Sequence, residues 1–194
     1  MDELKGKVAF VTGGSSGIGF GMAVAFARAG VQVAVSGLGQ RHLDETVDCF
    51  AQHGLDVHPI RLDVTDRAGM ERAADEIEQI LGPVQLLANN AGIGLTGPVG
   101  DARPDDWDWM IDVNIKGVVN GVQTFLPRMQ AHGDGGHIVN TSSMSGILPH
   151  AGAAIYVMTK AAAVGLVVAD GQSRRRRAGA VRSAGQCPVH PEPR

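Results

Sequence analysis

A tyrosine and a lysine stand four positions apart in the segment Tyr156-Val157-Met158-Thr159-Lys160. In a helix, residues with this spacing lie on one face, so the phenol and the ammonium would be neighbours. A free phenol titrates at about pH 10, and a nearby cation lowers that pKa because it favours the phenolate. Such a phenol can exchange a proton with an alcohol or carbonyl oxygen near neutral pH. The alternative is an ordinary surface pair of the same spacing.

Two adjacent serines, Ser142 and Ser143, follow an apolar pair, Ile138-Val139, that is typical of a strand. In a parallel sheet, a hydroxyl at the carboxyl end of a strand faces the crevice in which ligands bind. Neither serine lies in a G-x-S-x-G elbow, which excludes a serine hydrolase of that type. Ser143 stands 13 residues before Tyr156 and becomes a second candidate for the same site.

A glycine-rich turn from Thr12 to Gly19 reads T-G-G-S-S-G-I-G. It follows a short apolar run, residues 8–11, and precedes a helical pattern. A helix N-terminus offers unpaired N–H groups and a positive dipole end that suit a pyrophosphate, and glycines let a ligand approach the backbone. The spacing is G-x-x-x-G-x-G rather than the commoner G-x-G-x-x-G. A plain strand-to-helix turn is the alternative, and the strand–turn–helix context favours the nucleotide interpretation.

Together these features resemble the short-chain dehydrogenase/reductase (SDR) family over residues 4–169. The resemblance rests on the glycine turn, on the spacing of Ser143, Tyr156 and Lys160, and on three further segments in the family's order. These segments are Leu62-Asp63-Val64, Asn89-Asn90-Ala91-Gly92 and Asp112-Val113-Asn114-Ile115-Lys116-Gly117. The resemblance implies an oxidoreductase that transfers a hydride between NAD(P)(H) and an alcohol or carbonyl substrate.

The resemblance also implies a role for each matching residue. Tyr156 would be the acid/base, Lys160 would lower the pKa of Tyr156 and anchor the ribose, and Ser143 would hold the substrate oxygen. Asn114 would bend its helix and anchor a water in a proton relay; an exposed polar helix residue is the alternative. The expected cofactor-binding residues are Gly13, Ser15, Ser16, Gly17, Ile18, Gly19, Gly37, Leu38, Asp63, Val64, Asn90, Ala91 and Gly92, with Tyr156 and Lys160. A helix cap is the alternative for Asp63.

The choice between the two nicotinamide cofactors depends on the end of the second strand. NAD-binding proteins of this kind usually carry an acid about 20 residues after the glycine turn, where it holds the ribose 2′-hydroxyl. Gly37 stands at that position and cannot repel a 2′-phosphate. Leu38 follows where NADP-preferring relatives often have Arg. Arg41 could reach the same place, and an ordinary solvated Arg at a helix start is the alternative. The sequence therefore favours NADP(H) over NAD(H).

The elements that position these residues alternate between apolar strands and amphipathic helices. The predicted strands cover 8–11, 31–35, 57–62, 84–88 and the pair 138–139, and the predicted helices cover 18–29, 41–53, 66–81, 104–131 and 153–169. This alternation predicts a doubly wound α/β fold, Rossmann-like, with helices on both faces of a parallel sheet. Compared with the family, the last two strands are expected to be missing, which would leave the fifth strand as an edge.

The last 25 residues differ from the rest in composition. Residues 1–169 carry a net charge of −7, whereas residues 170–194 carry +4 and contain no Leu, Ile, Phe, Tyr, Trp or Met. One explanation is a basic arm for nucleic acid or an acidic partner. The other, which we favour, is out-of-frame translation of a GC-rich gene, because the change comes abruptly inside a helix that the resembled family completes. The domain of residues 1–169 would then be a C-terminally truncated SDR domain, and a catalytically impaired fragment that at most binds nucleotide or acts as an interaction module is the alternative to an active enzyme.

Composition limits the remaining classes. A chain of 194 residues with 44% hydrophobic and 19% charged residues is typical of one globular domain. No apolar stretch of about 18 residues and no secretory signal is present, so we expect a cytoplasmic protein without a membrane partner. Two cysteines and unpatterned histidines predict no metal site, and a net charge of −3 predicts no nucleic-acid partner. The expected partner is a small alcohol or ketone, and the resemblance implies homo-oligomers formed through the helices 104–131 and 153–169.

Overall fold

A computed structural model of the chain describes residues 4–174 and 181–183, with side chains as far as residue 166. The strands of this part are β1 (Val8–Val11), β2 (Gln32–Gly37), β3 (His58–Arg61), β4 (Val84–Asn89), β5 (Gly136–Asn140) and β6 (Val181–Ser183). Its helices are α1 (Gly17–Arg28), α2 (Gln40–Gln52), α3 (Arg67–Ile80), α4 (Pro104–Ile111), α5 (Gly117–His132) and α6 (Ala154–Arg174).

The strands form one parallel sheet in the order β3-β2-β1-β4-β5-β6. Phe10 on β1 stands opposite Ala34 on β2 and Leu87 on β4. From β1 the chain moves outward to β3 and then crosses back to place β4 on the other side of β1. The direction of winding therefore reverses between β1 and β4, and a crevice opens there at the carboxyl ends of the strands. The predicted doubly wound α/β fold is confirmed.

Helices cover both faces of the sheet, which explains why β1 is apolar at every position. Phe10 points into a cluster with α3 and α5, and its ring centre lies 5.4 Å from that of Phe125. Val11 points to the other face, into a cluster with α1 and α2 that contains Phe50. All four residues of β1 are buried, as is typical of a central strand in a parallel sheet.

The carboxyl end of the described chain corrects one expectation. β6 pairs with β5 in parallel, with Ile138 opposite Ser183, so β5 is not an edge of the sheet. Strand β6 contains only one apolar side chain, that of Val181, followed by Arg182 and Ser183. Such a short segment gives no strand signal, which is why sequence reasoning missed it. Helix α6 also runs to Arg174, five residues beyond the predicted end at 169. The rest of the basic segment, 175–180 and 184–194, lies outside the described residues, so the two explanations for it stay predictions.

The predicted long helix 104–131 is interrupted in its middle. It consists of α4, a π-helical turn over Asp112–Lys116, and α5. A π turn inserts an extra residue into the helical repeat and is frequent at functional sites. This turn contains Asn114, the residue for which the family resemblance implies a bend. Across the described part of the chain, no helix has the length and apolar character needed to span a membrane.

Candidate active site

A cleft of about 780 Å³ lies at the carboxyl ends of the strands, across the switch point between β1 and β4. It is lined by the glycine turn, the ends of the first four strands, the turn after β5 and the first turns of α6. Its lining includes most of the predicted cofactor residues, namely Gly13, Ser15, Ser16, Gly17, Ile18, Gly37, Leu38, Asp63, Val64, Asn90, Ala91 and Gly92, together with Tyr156 and Lys160. The lining does not include Gly19, Asn114 or Ser143.

The glycine turn presents the N-terminus of α1 to this cleft. Gly17 has a φ of +54°, a conformation that L side chains rarely adopt, and the position of its missing Cβ is open space. Ser16 occupies the N-cap but its side chain makes no capping hydrogen bond. The N–H groups of the first helical turn are thus left for an anionic ligand, as expected for a phosphate-binding helix end.

The end of β4 braces the glycine turn. The Thr12 hydroxyl accepts hydrogen bonds from the backbone N–H groups of Asn90, at 2.9 Å, and Ala91, at 3.1 Å. The Asn90 amide donates to the carbonyls of Thr12 and Gly13 at 3.1 and 3.3 Å. Gly19 packs its α-carbon against the Gly13 carbonyl and the Asn90 amide, so a Cβ there would collide with both. The absence of a side chain at Gly19 therefore allows the glycine turn to pack tightly, and Gly19 itself does not line the cleft.

The ends of β2 and β3 form the outer part of the cleft. Ser36 lines the cleft and is buried, and its hydroxyl oxygen has no hydrogen-bond partner among the described residues. A buried unpaired hydroxyl is costly unless a ligand or water completes it. The Asp63 carboxylate accepts the Thr65 N–H at 2.9 Å. The N-cap position of α3 is Asp66, so Asp63 is not the N-cap residue of that helix. The uncapped helix end and the unpaired Ser36 hydroxyl both fit a dinucleotide.

Tyr156 and Lys160 lie on one face of α6, as their spacing predicts, and both line the cleft. The Lys160 Nζ atom lies 5.7 Å from the centre of the Tyr156 ring and donates to the Thr141 carbonyl at 3.0 Å. Lys160 is only 6% exposed. Burial lowers the pKa of its ammonium below the ordinary value of a lysine, because charge is disfavoured away from water.

The two serines after β5 have different partners. The Ser142 hydroxyl donates to the Lys160 carbonyl at 2.8 Å, so its proton is committed to α6. Ser143 caps the 3-10 turn Met144–Gly146, and its oxygen accepts the N–H of Ser145 at 3.2 Å. That bond uses a lone pair and leaves the Ser143 hydroxyl proton for another acceptor. The turn itself packs on α6, where the α-carbon of Gly146 lies against the Lys160 carbonyl.

Asn114 lies behind the cleft and is 2% exposed, which excludes the alternative of an exposed polar residue. Its side-chain oxygen accepts the Ile93 N–H at 2.8 Å, and its amide donates to the Ile93 carbonyl at 2.9 Å. The amide also donates to the Thr159 hydroxyl at 3.0 Å, and that hydroxyl donates to the Tyr156 carbonyl at 3.0 Å. Asn114 therefore ties the π turn to the loop after β4 and to the helix that carries Tyr156.

Comparison with known proteins agrees with this geometry. Residues 7–186 match the short chain dehydrogenase family. The chain belongs to that family. It is 42% identical over 168 residues to a C alpha-dehydrogenase from Sphingobium sp. strain SYK-6, a match that covers 86% of this chain and 55% of that protein. The chain thus spans about half the length of that curated relative.

Two further relatives differ in the cofactor that their names record. An NADP-dependent (R)-specific alcohol dehydrogenase from Lentilactobacillus kefiri is 36% identical over 179 residues, with 87% of this chain and 70% of that protein covered. The crystal structure of a short chain dehydrogenase/reductase from Burkholderia phymatum in complex with NAD superposes with a TM-score of 0.90 at 36% identity, covering 94% of this chain and 65% of that one. The family therefore binds NAD(P), and relatives of this chain include an NADP-dependent enzyme and a protein solved in complex with NAD.

Sequence reasoning missed several residues of this short-chain dehydrogenase site. Ser145 and His150 line the cleft beside the first turns of α6, and Thr12 and Thr159 hold neighbouring segments in place. Threonine and serine are common in turns and helices, so their types carry no signal of these contacts. Thr12 and Thr159 also have partners far away in the chain, Asn90 and Asn114, and only the fold brings these together.

Proposed function

We propose that this chain carries the cofactor-binding and catalytic residues of an NAD(P)-dependent oxidoreductase that interconverts an alcohol and a carbonyl compound. The observation that carries the proposal is the placement of Tyr156 and Lys160 in the same cleft as the glycine turn, with the ammonium 5.7 Å from the ring centre. A nicotinamide cofactor, when bound, supplies or accepts the hydride. The protein's own residues then have to hold the cofactor, orient the substrate oxygen and move a proton.

The first half of the cleft would hold the cofactor. The pyrophosphate would lie at the N-terminus of α1, where Ser15 to Gly19 offer backbone N–H groups and close approach. Gly37, Leu38 and the segment 90–92 would border the adenosine ribose, and Asp63 and Val64 would contact the adenine. The unpaired Ser36 hydroxyl and the uncapped helix end support this assignment.

Proton transfer would depend on Tyr156. Its phenol would give a proton to the carbonyl oxygen during reduction and take one from the alcohol during oxidation. The Lys160 ammonium would stabilise the phenolate and bind the ribose. Ser143 would hold the substrate oxygen, which is consistent with its free hydroxyl proton and with the committed proton of Ser142. Asn114 would anchor a water that continues the relay to solvent.

We also propose that NADP(H) is the preferred cofactor. Gly37 lines the cleft at the end of β2 and presents no acid toward a ribose 2′-phosphate. Arg41 pairs with Glu45 and is not part of the lining, so it adds no contact there. His42 does line this part of the cleft. A comparison of kcat/KM for NADPH and NADH tests the preference, and a tenfold advantage for NADH would contradict it. Gly37→Asp is the sharper variant, because the new carboxylate should lower NADPH affinity more than NADH affinity.

The decisive experiment is a titration of NADPH and of NADH into the purified chain, followed by nicotinamide fluorescence and then by turnover of simple secondary alcohols and ketones. Saturable fluorescence enhancement followed by turnover is the expected result. Saturable binding without turnover would reduce the proposal to nucleotide binding. No fluorescence change with either cofactor would overturn it.

A further inference from the structure

Two residues without a role in the proposed proton transfer form a hydrogen-bonded pair in the wall of the cleft. The Ser145 hydroxyl oxygen lies 3.0 Å from the Nε2 atom of His150. The Nδ1 atom of the same ring lies 3.0 Å from the Ala151 carbonyl oxygen. Both residues line the cleft that contains Tyr156 and Lys160.

The direction of these hydrogen bonds follows from the groups involved. A carbonyl oxygen only accepts, so the bond to Ala151 places the proton of a neutral imidazole on Nδ1. Nε2 is then an acceptor, and the Ser145 hydroxyl must donate to it. The Ser145 oxygen keeps its own lone pairs, which can accept a hydrogen bond from a ligand in the cleft.

The turn that carries Ser145 is fixed relative to the proposed reaction centre. Its backbone N–H donates to Ser143, and the next residue, Gly146, packs against the carbonyl of Lys160. Ser145 is 9% exposed, so its oxygen is held in a largely dry wall. A group bound to the Ser145 oxygen is therefore held in a fixed position relative to Ser143 and to α6, which carries Tyr156.

The rest of this wall is mostly apolar. Ile93, Leu95 and Trp109 line the same cleft, and the Trp109 side chain is half exposed. An apolar wall accepts many hydrocarbon bodies with little discrimination, whereas one buried polar atom that needs a partner discriminates more strongly. The Ser145 hydroxyl already donates to His150, and its oxygen keeps lone pairs that a substrate hydroxyl can use as an acceptor in this otherwise apolar wall.

We infer that Ser145, oriented by His150, is a specificity-determining residue that accepts a hydrogen bond from a second hydroxyl group on the substrate. The preferred substrate class is accordingly an alcohol or ketone with an apolar body and a further hydroxyl, rather than a simple alcohol. This inference rests on the proposed function for the reacting group, while the hydroxyl preference is a property of binding that can be measured without turnover.

The test compares three probes: 1-phenylethanol, 1-phenyl-1,2-ethanediol and 1-(4-hydroxyphenyl)ethanol. The two hydroxylated probes place the additional hydroxyl near to and far from the reacting carbon. Binding is followed by tryptophan fluorescence, with and without NADP⁺, because Trp109 lines the cleft. We expect at least one hydroxylated probe to bind the wild-type chain about three- to tenfold more tightly than 1-phenylethanol, the range for one net hydrogen bond.

Two variants assign that preference. Ser145→Ala keeps the backbone N–H that donates to Ser143, and should bring the hydroxylated probe to within twofold of 1-phenylethanol without weakening 1-phenylethanol itself. His150→Gln keeps a side-chain acceptor for the Ser145 proton and should retain part of the preference. His53→Ala is the control and should change nothing, because His53 is exposed and the one hydrogen bond of its side chain among the described residues is to the Cys49 carbonyl of α2.

The outcomes separate the two proposals. A hydroxyl preference in binding that Ser145→Ala removes, but with no turnover of any probe, supports this inference and contradicts the proposed function. Turnover of 1-phenylethanol with no hydroxyl preference in binding supports the proposed function and contradicts this inference. A preference that survives in Ser145→Ala, a uniform loss for all three probes, or the absence of measurable binding would each overturn the inference.

Discussion

The nucleotide side and the catalytic side of the cleft present different kinds of groups to a ligand. On the nucleotide side, the glycine turn and the ends of β1 to β4 offer mainly backbone groups. The missing side chain at Gly13 lets Ala91 pack against the turn, and the one at Gly17 leaves open space. On the catalytic side, α6, the π turn and the turn after β5 offer side chains that are hydrogen-bonded across elements, as in the chain from Asn114 through Thr159 to the Tyr156 carbonyl. The first half depends on shape and the second on polarity.

This difference implies that the halves should fail in different ways. Adding a methyl group to the nucleotide side should distort the backbone, lower stability and weaken cofactor binding together. Replacing a polar group on the catalytic side by an apolar one of similar size should remove activity and leave the fold intact. Each prediction below tests one side of this contrast.

Tyr156→Phe should have the largest effect. It removes the phenol oxygen and keeps the ring that packs near Lys160, so turnover should fall by about 10²- to 10⁴-fold, the usual contribution of a general acid or base. NADPH affinity, measured by nicotinamide fluorescence, should change less than threefold. A variant that retains more than a tenth of the wild-type kcat would contradict the role proposed for Tyr156.

Lys160→Met should lower turnover by about 100-fold, because the cation that would stabilise the phenolate is lost.

The same substitution should not lower the thermal stability of the protein at pH 7. Burial lowers the pKa of Lys160 in the folded protein, so the unfolded chain binds more protons between that lowered pKa and the ordinary value of 10.5. Stability of the wild type therefore rises with pH across this window.

The methionine variant carries no such proton. Its thermal midpoint at pH 7 should equal or exceed that of the wild type, and any excess should shrink as the pH rises toward 10.5. Thermal unfolding of both proteins from pH 7 to pH 10 measures this difference, and other titrating groups cancel in it. A lower midpoint for the variant that stays constant with pH would show that the hydrogen bond to Thr141 outweighs the buried charge.

Gly13→Ala tests the nucleotide side. Gly13 has a φ of +64°, and a Cβ there would lie 2.9 Å from the Ala91 α-carbon. The left-handed conformation alone costs a non-glycine residue about 1–2 kcal/mol, and the backbone contact adds to that cost. We expect lower unfolding free energy by urea denaturation and about tenfold weaker NADPH binding in the same variant.

Gly21→Ala is the matched control on the exposed side of α1, where nothing lies within 4 Å of the new methyl group. Alanine is a better helix former than glycine, so this variant should gain about 0.5–1 kcal/mol of stability with unchanged NADPH binding. If Gly13→Ala behaved like this control, the claim that shape governs the nucleotide side would be wrong.

The same contrast explains what the sequence could predict. The apolar runs and glycine spacing of the nucleotide side depend on neighbours in the chain, so β1, the turn and α1 were predictable to within a residue or so. The motif residues on α6 were also predictable because Tyr156 and Lys160 share one helix face. β6 was missed because Val181–Ser183 has no strand pattern of its own. Its place depends on the neighbouring β5, which is about 45 residues away.

The contacts that orient the catalytic side were not predictable in this way. Asn114 could be named from its segment, but its burial and its bonds to Ile93 and Thr159 depend on three elements meeting. Asn114 makes these bonds from within the π turn over Asp112–Lys116. The hydrophobic pattern of a helical sequence does not show where the backbone hydrogen bonds change from the α-helical to the π-helical spacing.

Thr159→Val should have the smallest effect of the series and the most specific one. Thr159 is completely buried, and its hydroxyl accepts from the Asn114 amide and donates to the Tyr156 carbonyl. Valine has a similar shape and removes only these two bonds. A buried hydrogen bond contributes about 1 kcal/mol, so we expect a similar loss of stability and a several-fold lower kcat with little change in the KM for NADPH.

Thr159→Ser keeps the hydroxyl and removes the methyl group, which makes it the counterpart that separates polarity from shape. If polarity governs the catalytic side, serine should restore kcat to within twofold of the wild type although it leaves a small void, and valine should not. The opposite order, with valine active and serine impaired, would mean that Thr159 acts by filling space. Asn114 would then be held by Ile93 alone, and the contrast between the two halves of the cleft would not extend to this residue.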